Sequence, residues 1–353
     1  MIMVLMNTKP RLKWVDTAKG LCILLVILFH TTGHIMSDYP QINSMLRAIR
    51  MPLYFTIAGL FVSVKSYGSF VENKINRLII PYCFFILLGN IMGYIYHLFL
   101  GEEFTYFSPL YFAYTEDLNW KFLNFPVWFL VSLFDVYIIF LIINRIANSC
   151  TRYSTILKVL FGIIAGLCGF ACNRKCLDVP LLIDSSLSAT PFLIFGYIVM
   201  TKTTLFKRDY KIITSVLFTV LLFAVSFLIA KGDIDYYRNN PKTSLFHAYI
   251  PGIFGVTAFL LLSKTINKIP LITYIGRYSI VYLGTHALFP KHIRLYITTN
   301  SEISNPIVID LIVFFSTILL CSLVCWIFLK TVPYLIAQKD LIYFRDSRDD
   351  SKS

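Results

Sequence analysis

The stretch from Trp14 to His34 reads WVDTAKGLCILLVILFHTTGH. It places ionisable side chains within an apolar run that covers about residues 15–36. A helix that crosses the hydrocarbon core of a bilayer needs about 20 predominantly apolar residues, and this run reaches that length. Charged groups inside such a helix are costly and mark functional sites by default. The stretch therefore predicts a membrane-spanning helix that carries part of a site.

The composition extends this prediction to the whole chain. Of the 353 residues, 57% are apolar and 14% are charged. An average soluble protein has about 25% charged residues. A soluble globule has no interior large enough for so much hydrocarbon, and a disordered chain would be far more polar. The composition therefore excludes both classes and favours a membrane protein.

Ten apolar runs follow one another along the chain, and none has the alternating pattern of a barrel strand. They cover about residues 15–36, 46–64, 79–100, 126–144, 155–172, 187–201, 212–230, 246–264, 272–290 and 307–330. The sequence therefore predicts an all-α polytopic membrane protein with about ten transmembrane helices. We expect one membrane-embedded unit, 1–353, with an N-terminus of about 1–13, a ten-helix bundle of 14–330 and a tail of 331–353.

The basic residues predict the orientation of the chain. The 32 Lys and Arg residues separate the apolar runs instead of forming one stripe, which argues against a nucleic-acid partner. In a ten-helix topology, 21 of them fall on the side of the termini, 10 fall on the other side, and Lys19 lies inside the first helix. Because cytoplasmic loops carry the excess of basic residues, both termini are predicted to be cytoplasmic.

Three ionisable residues of the first helix fall near one face. Lys19 and His30 are eleven residues apart, which leaves them about 20° from the same face, and Asp16 is about 40° from His30. The helical rise puts His30 roughly 16 Å above Lys19. One interpretation is an acid–base pair near the cytoplasm and a functional histidine near the outer leaflet. The alternative is that Asp16 and Lys19 snorkel and that His30 is an interfacial histidine.

Four stretches, in order, resemble the acyltransferase-3 family of integral membrane proteins. The first is Trp14-Val-Asp16-Thr-Ala-Lys19-Gly20 with its aliphatic run and His30, and its Lys-Gly pair looks most like the fucose 4-O-acetylase-like branch. The others are Arg50-Met-Pro-Leu-Tyr-Phe-Thr-Ile-Ala-Gly59, Lys74-Ile-Asn-Arg77-Leu-Ile-Ile-Pro81-Tyr82, and Ile275-Gly-Arg277-Tyr-Ser279 followed by His286. The resemblance covers most of the chain.

The resemblance implies that an acyl group, usually acetyl from cytoplasmic acetyl-CoA, is transferred to a sugar hydroxyl. The acceptor would be a surface polysaccharide or a lipid-linked glycan precursor. Acetyl-CoA is then a co-substrate, and no tightly bound cofactor is expected. The resemblance also implies a multi-pass protein of the inner (plasma) membrane of a bacterium, in contact with the lipid bilayer. The sequence does not indicate an oligomeric state.

Under this interpretation, the first helix and the stretch from Lys74 to Tyr82 supply the candidate catalytic and donor-binding residues. His30 is the candidate general base, because histidine titrates near neutral pH, or the group that carries the acyl moiety. Asp16 is expected to pair with Lys19, so that neither charge is bare in lipid. Lys19, together with Lys74 and Arg77, is expected to bind the phosphates of CoA. Lys74 and Arg77 also satisfy the topology rule, so their donor role follows mainly from the resemblance.

Four further residues are candidates for binding the acceptor: Arg50, Trp128, Ser279 and His286. Arg50 lies on the predicted outer side beside an apolar run, against the topology rule, which favours binding of the acceptor or its phosphate over snorkelling. Trp128 is either an interfacial aromatic residue or a surface on which a sugar stacks. Ser279 either binds acceptor or packs between helices.

A metal site, a transporter and a scaffold are the alternatives to the acyltransferase interpretation. His30 and His34 have a spacing that could hold a metal, but no carboxylate accompanies them, so no metal site is expected. The principal alternative function is a secondary transporter or flippase for a lipid-linked sugar. Transporters usually show internal repeats, and none is visible here. A non-catalytic scaffold would leave the charged first helix unexplained.

Overall fold

The computed structural model describes residues 12–100, 106, 124–175, 179–208, 210–232, 234–239 and 243–344. It is 81% helical with no strand in this part of the chain, which confirms the all-α prediction. The helices, numbered in chain order, are α1 (Lys13–Thr31), α2 (Gly33–Asp38), α3 (Pro40–Leu60), α4 (Tyr67–Lys74), α5 (Ile80–Leu100), α6 (Trp128–Asn148), α7 (Ser154–Arg174), α8 (Ile183–Lys202), α9 (Ile212–Ile229), α10 (Leu245–Thr265), α11 (Pro270–Arg277), α12 (Ser279–Thr285), α13 (Pro290–Asn300) and α14 (Pro306–Thr331). Most of the predicted N-terminus and the last nine residues of the predicted tail lie outside the described residues.

Eight helical segments of the described chain are long and apolar enough to cross a membrane. They are Lys13–Thr31, Tyr67–Phe99, Trp128–Asn148, Thr151–Arg174, Pro180–Lys202, Ile212–Ile229, Leu245–Thr265 and Pro306–Thr331. Each overlaps one of the ten predicted runs. The protein is therefore a polytopic membrane protein, and the number of crossings and the side of the termini stay predictions.

The other two predicted runs are also helical, but they differ from simple spans. The run at 46–64 lies mostly in α3, whose first turns are polar. The run at 272–290 is broken, because Tyr278 leaves the helical conformation at φ −112° and ψ 24°. Its N–H donates to the carbonyl of Tyr274 and its own carbonyl accepts the N–H of Val281, so Tyr278 ends α11 and begins α12. The break places Ser279 at the start of a new helix.

The first helix and the broken segment run side by side in the same direction. Gly20 and Gly276 face each other so closely that a Cβ on either residue would overlap a backbone carbonyl of the other helix. Ten residues further along each segment, the rings of His30 and His286 lie 5.2 Å apart. Small residues allow helices in a membrane to approach in this way. The crossing at the two glycines therefore determines where the two histidines meet.

The same kind of contact joins α3 to α8. A Cβ on Gly59 would overlap the carbonyl of Leu193, and a Cβ on Gly196 would overlap the carbonyl of Thr56. Because α3 also packs against α1, the crossing of α1 with α11 and the crossing of α3 with α8 together position these four helices around the ionisable residues of α1.

The segment after α14 folds back against the start of α5. A π-helical turn, Ile75–Ile79, joins α4 to α5 and contains the buried residue Asn76. The amide of Asn76 donates to the carbonyl of Ile342 at 2.7 Å and accepts the N–H groups of Leu341 and Ile342 at 2.7 and 2.9 Å. The described part of the predicted tail is thus bound to the bundle.

Replacing Gly276 by Ala tests the close crossing of α1 and α11. The added methyl group forces the two backbones apart, and overpacking of this kind costs about 1–3 kcal/mol. We expect a lower Tm for Gly276→Ala than for the wild type in the same detergent. The matched control is Gly68→Ala on α4, where a Cβ meets nothing within 4 Å and alanine is the better helix former. Equal melting temperatures for the two variants would contradict the crossing.

Candidate active site

Two cavities lie along α1. The first, named the Lys19 cavity, has a volume of about 280 Å³. Its lining includes Lys19, Tyr54, Lys74, Arg77, Ser279 and Leu283. The second, named the His30 cavity, has a volume of about 410 Å³. Its lining includes His30, Arg47, Arg50, Trp128, Asp235, Arg238 and Leu283.

The cavities are separated by about one layer of side chains. On α3, Met51 lines the His30 cavity, and Tyr54, one turn later, lines the Lys19 cavity. On α6, Trp128 lines the His30 cavity and its neighbour Phe129 the Lys19 cavity, while Leu283 of α12 lines both. The two cavities therefore approach each other from opposite ends of α1 and meet at Leu283.

His30 lies in the last turn of α1 and is exposed towards the cavity that bears its name. Its ring is in contact with the ring of His286, with centroids 5.2 Å apart and planes inclined by 50°. It also makes an edge-to-face contact with the ring of Phe29, at 5.2 Å between centroids. His30 is thus open to a molecule in the cavity and packed against a second imidazole.

His286 is fully buried where α12 ends in a 3-10 turn. Its Nδ1 lies 3.0 and 2.9 Å from the carbonyl oxygens of Tyr282 and Leu283. Because carbonyls only accept hydrogen bonds, Nδ1 carries a proton. Its Nε2 has no hydrogen-bond partner among the described residues. In the neutral ring the lone pair is therefore on Nε2, and the backbone determines the tautomer of the imidazole next to His30.

Two arginines of α3 stand over one aromatic ring beside His30. The guanidinium carbon of Arg50 lies 3.7 Å from the centroid of Phe29, and that of Arg47 lies 4.7 Å from it. Guanidinium groups stack well on aromatic faces. The ring of Phe29 therefore positions two positive charges at the His30 cavity.

The Lys19 cavity combines three cations with aromatic walls. The ammonium group of Lys74 lies 3.8 Å from the centroid of Tyr137. Arg77 forms an ion pair with Asp340 at 3.0 Å and donates to the carbonyl of Ala337. Part of the charge of Arg77 is therefore already shared with the segment after α14, which sequence reasoning did not anticipate.

The structure divides the residues that the sequence grouped together. Lys19 and His30 line different cavities, and Asp16 is buried at the crossing of α1 with α11, away from the described lining of either cavity. Of the four residues assigned to the acceptor, Arg50 and Trp128 line the His30 cavity, whereas Ser279 lines the Lys19 cavity. The fourth, His286, lies beside His30.

Sequence reasoning missed an ion pair that fixes the end of α1. Arg294 donates to the carbonyl of Thr31 at 2.8 Å and to the carboxylate of Asp310 at 2.6 Å. Asp310 is fully buried and also accepts the backbone N–H of His34 at 3.0 Å. The one available signal was Asp310 itself, a lone acid at the start of an apolar run. These bonds hold the backbone immediately after His30.

Sequence reasoning also missed the segment between α9 and α10. Asp235 and Arg238 of this segment line the His30 cavity, and Tyr237 packs its ring against Trp128 at 5.3 Å between centroids. The segment belongs to no apolar run and has no periodicity, so nothing in its pattern indicated that it folds over a cavity.

Fold and site together define a helical membrane protein in which a pair of imidazoles lies near the meeting point of two cavities. Residues 12–326 match the family model described as acyltransferase domain, which covers most of the chain. The chain therefore belongs to the acyltransferase-3 family and is a membrane acyltransferase. The predicted family is confirmed, whereas the fucose 4-O-acetylase-like branch stays a prediction. No curated protein and no solved structure shows a significant match to the chain.

Proposed function

We propose that this acyltransferase moves an acetyl group from acetyl-CoA, bound in the Lys19 cavity, to a sugar hydroxyl in the His30 cavity. The observation that supports it is the meeting of the two cavities at Leu283, next to the His30–His286 pair. Each substrate then has its own cavity, and both approach the same imidazole.

The Lys19 cavity has the chemistry that a CoA thioester requires. Lys19, Lys74 and Arg77 supply positive charge for the phosphates, and phosphate is bound well by both ammonium and guanidinium groups. Leu283 and Phe129 offer apolar surface towards the thioester end. With the predicted topology, this cavity opens to the cytoplasm, where acetyl-CoA is made available.

His30 would act on the hydroxyl that attacks the thioester. The hydroxyl oxygen forms a bond to the carbonyl carbon, the carbon–sulfur bond breaks, and the hydroxyl proton passes to His30 and then to the leaving thiolate. Alternatively, a ring nitrogen of His30 attacks the carbonyl carbon first, the carbon–sulfur bond breaks and CoA leaves as the thiolate. The hydroxyl then takes the acetyl group, the bond between His30 and the acetyl carbon breaks, and the hydroxyl proton passes to the thiolate. In both cases the adjacent His286 has a fixed tautomer and can stabilise the charge on His30.

The acceptor and the cellular setting follow from the resemblance to the family. We assign the acceptor to a cell-surface polysaccharide or a lipid-linked glycan precursor, and the protein to the inner membrane of a bacterium. Trp128 and Arg50 would bind this acceptor, and acetyl-CoA would act as a co-substrate without a tightly bound cofactor.

One observation favours the alternative of a transporter for a lipid-linked sugar. The α11–α12 segment is a broken helix beside two cavities, a feature that many secondary transporters share. A transporter would move the sugar without releasing CoA from acetyl-CoA. Acceptor-dependent release of CoA by the purified protein therefore separates the two functions.

Replacing His30 tests its role as base or acyl carrier. A general base contributes about 10²–10⁴-fold in rate. We expect His30→Ala and His30→Gln to lower acceptor-dependent CoA release by about that factor, because neither side chain can take and return a proton at neutral pH. The matched control is His247→Gln, at a half-buried histidine of α10 that is outside the lining of both cavities. If His30→Gln keeps most of the activity, the imidazole only donates or accepts a hydrogen bond and the mechanism is wrong.

Replacing Lys19 tests the donor cavity. Loss of a charge that binds phosphate should raise the KM for acetyl-CoA more than the KM for the acceptor. We therefore expect Lys19→Ala to raise the KM for acetyl-CoA by about tenfold, which is the effect of losing one charge-assisted hydrogen bond. Lys65→Ala, at an exposed lysine after α3, serves as control and should behave like the wild type. An unchanged KM for acetyl-CoA together with a lower kcat would identify Lys19 as a structural residue.

A further inference from the structure

Attack on a thioester turns its carbonyl oxygen into an oxyanion. Enzymes that transfer acyl groups stabilise this charge with a hydrogen-bond donor that is already in place, such as a backbone N–H or a side-chain hydroxyl. In this protein the donor has to lie at the inner end of the Lys19 cavity, next to the wall at Leu283 that separates it from the His30 cavity. The described lining of the Lys19 cavity contains three hydroxyl groups, those of Tyr54, Tyr137 and Ser279.

Tyr54 lies at the end of the Lys19 cavity that faces this wall. On α3, Met51 lines the His30 cavity, and Tyr54 is the first residue that lines the Lys19 cavity. Side chains of a helix lean towards its N-terminus, so the side chain of Tyr54 leans back towards the His30 cavity. Its ring packs against the ring of Phe129 at 5.2 Å between centroids, and Phe129 directly follows Trp128 of the His30 cavity.

The hydroxyl group of Tyr54 is buried without a hydrogen bond. The residue is 9% exposed, and its hydroxyl oxygen has no hydrogen-bond partner among the described residues. The side chain of Ser279 lies beside it, but the two hydroxyl groups do not form a hydrogen bond. A buried hydroxyl without a partner raises the free energy of the folded protein, so it requires an explanation. A substrate oxygen that accepts its hydrogen bond is such an explanation.

Tyr137 occupies the other end of the same cavity. Its hydroxyl donates to the carbonyl of Ala58 at 3.4 Å, and its ring centroid lies 3.8 Å from the ammonium group of Lys74. Tyr137 follows Phe129 by eight residues, which puts it about 12 Å further along α6. Tyr137 therefore belongs to the end with the candidate phosphate ligands, and Tyr54 belongs to the end at which the thioester would react.

Ser279 connects Tyr54 to the wall. It is the first residue of α12, and Leu283, which lines both cavities, lies one turn later on the same helix. When a carbonyl oxygen accepts the proton of Tyr54, the hydroxyl of Ser279 can donate to the oxygen of Tyr54. Hydrogen bonds in such a chain strengthen one another, so Ser279 would make Tyr54 a better donor and fix its direction.

We propose that Tyr54 is a catalytic residue that donates a hydrogen bond to the carbonyl oxygen of the thioester, with Ser279 as its positioning residue. This inference rests on the proposed function and adds the group that stabilises the oxyanion. The attacking oxygen, or the nitrogen of His30, forms a bond to the carbonyl carbon, and one carbonyl electron pair moves to the oxygen that faces Tyr54. That pair returns when the carbon–sulfur bond breaks, and the thiolate leaves with the electrons of the broken bond. Tyr54 keeps its proton throughout.

Replacing Tyr54 by Phe removes the hydroxyl and keeps the ring. We expect kcat for acceptor-dependent CoA release to fall by about 10²–10³-fold, the effect of losing one oxyanion donor. The KM values for acetyl-CoA and acceptor should stay within about twofold, because the bond is stronger in the transition state than in the ground state. Ser279→Ala should lower kcat less, again without a change in KM, and Ser279→Thr, which keeps a hydroxyl, should restore most of the loss. A wild-type kcat for Tyr54→Phe would overturn the inference.

The melting temperature separates loss of catalysis from loss of structure. Since the Tyr54 hydroxyl has no partner among the described residues, Tyr54→Phe should melt at the wild-type temperature or above it. The matched control is Tyr249→Phe on α10, whose hydroxyl donates to the carbonyl of Ser188 at 2.9 Å and which is outside the lining of both cavities. This control should melt below the wild type and keep its kcat. A Tm for Tyr54→Phe as low as that of the control would identify its hydroxyl as a structural group and overturn the inference.

An infrared measurement separates this inference from the proposed function. Acetyl-CoA with an isotopically labelled carbonyl is bound to His30→Gln, to prevent turnover, and to the double variant that also carries Tyr54→Phe. A hydrogen bond weakens the carbonyl bond, so we expect a lower stretching frequency in His30→Gln than in the double variant. If no acceptor releases CoA from the wild type but this difference is present, the sugar acceptor falls and the contact with Tyr54 stands. If CoA release depends on an acceptor but the two frequencies are equal, the contact with Tyr54 falls and the proposed function stands.

Discussion

The site depends on the close crossing of α1 with the broken segment α11–α12. Without a side chain at Gly20 and Gly276, the two backbones touch, and the two segments then run in parallel for ten residues to the contact of His30 with His286. The same geometry puts Lys19 and Ser279 in one cavity. A wider crossing would separate the imidazoles and open the wall at Leu283, so packing at one point controls both the imidazole pair and the separation of the two cavities.

The sequence predicted what one helix can specify. The length and apolarity of the runs gave the all-α membrane fold, because the bilayer imposes both on every spanning helix. Helical periodicity indicated that Lys19 and His30 share a face of α1, and the ordered motifs indicated the family, which the match over residues 12–326 confirms. Each of these signals lies within one short stretch of sequence or recurs along the chain, so it can be recognised without knowing which helices pack together.

What the sequence did not predict depends on pairs of distant residues. Periodicity along α1 cannot show that its face borders two cavities, because their walls come from α3, α6 and α12. Nor could it show that Asp310 and Arg294 hold the end of α1, or that Asp340 shares the charge of Arg77. The break at Tyr278 is only partly visible in the sequence, since Arg277 interrupts the run at 272–290 but the run as a whole still predicts one helix. Long-range contacts of this kind decide the detail of the site.

The central claim is that acyl donor and acceptor reach the imidazole pair from opposite faces of the membrane. It is tested most directly in sealed inside-out membrane vesicles that contain the protein, with an acceptor that supports CoA release trapped inside and acetyl-CoA added only outside. The account predicts acetylated acceptor in the lumen and free CoA in the outer medium. Acetylation that occurs only when the acceptor is added to the same side as acetyl-CoA would contradict it.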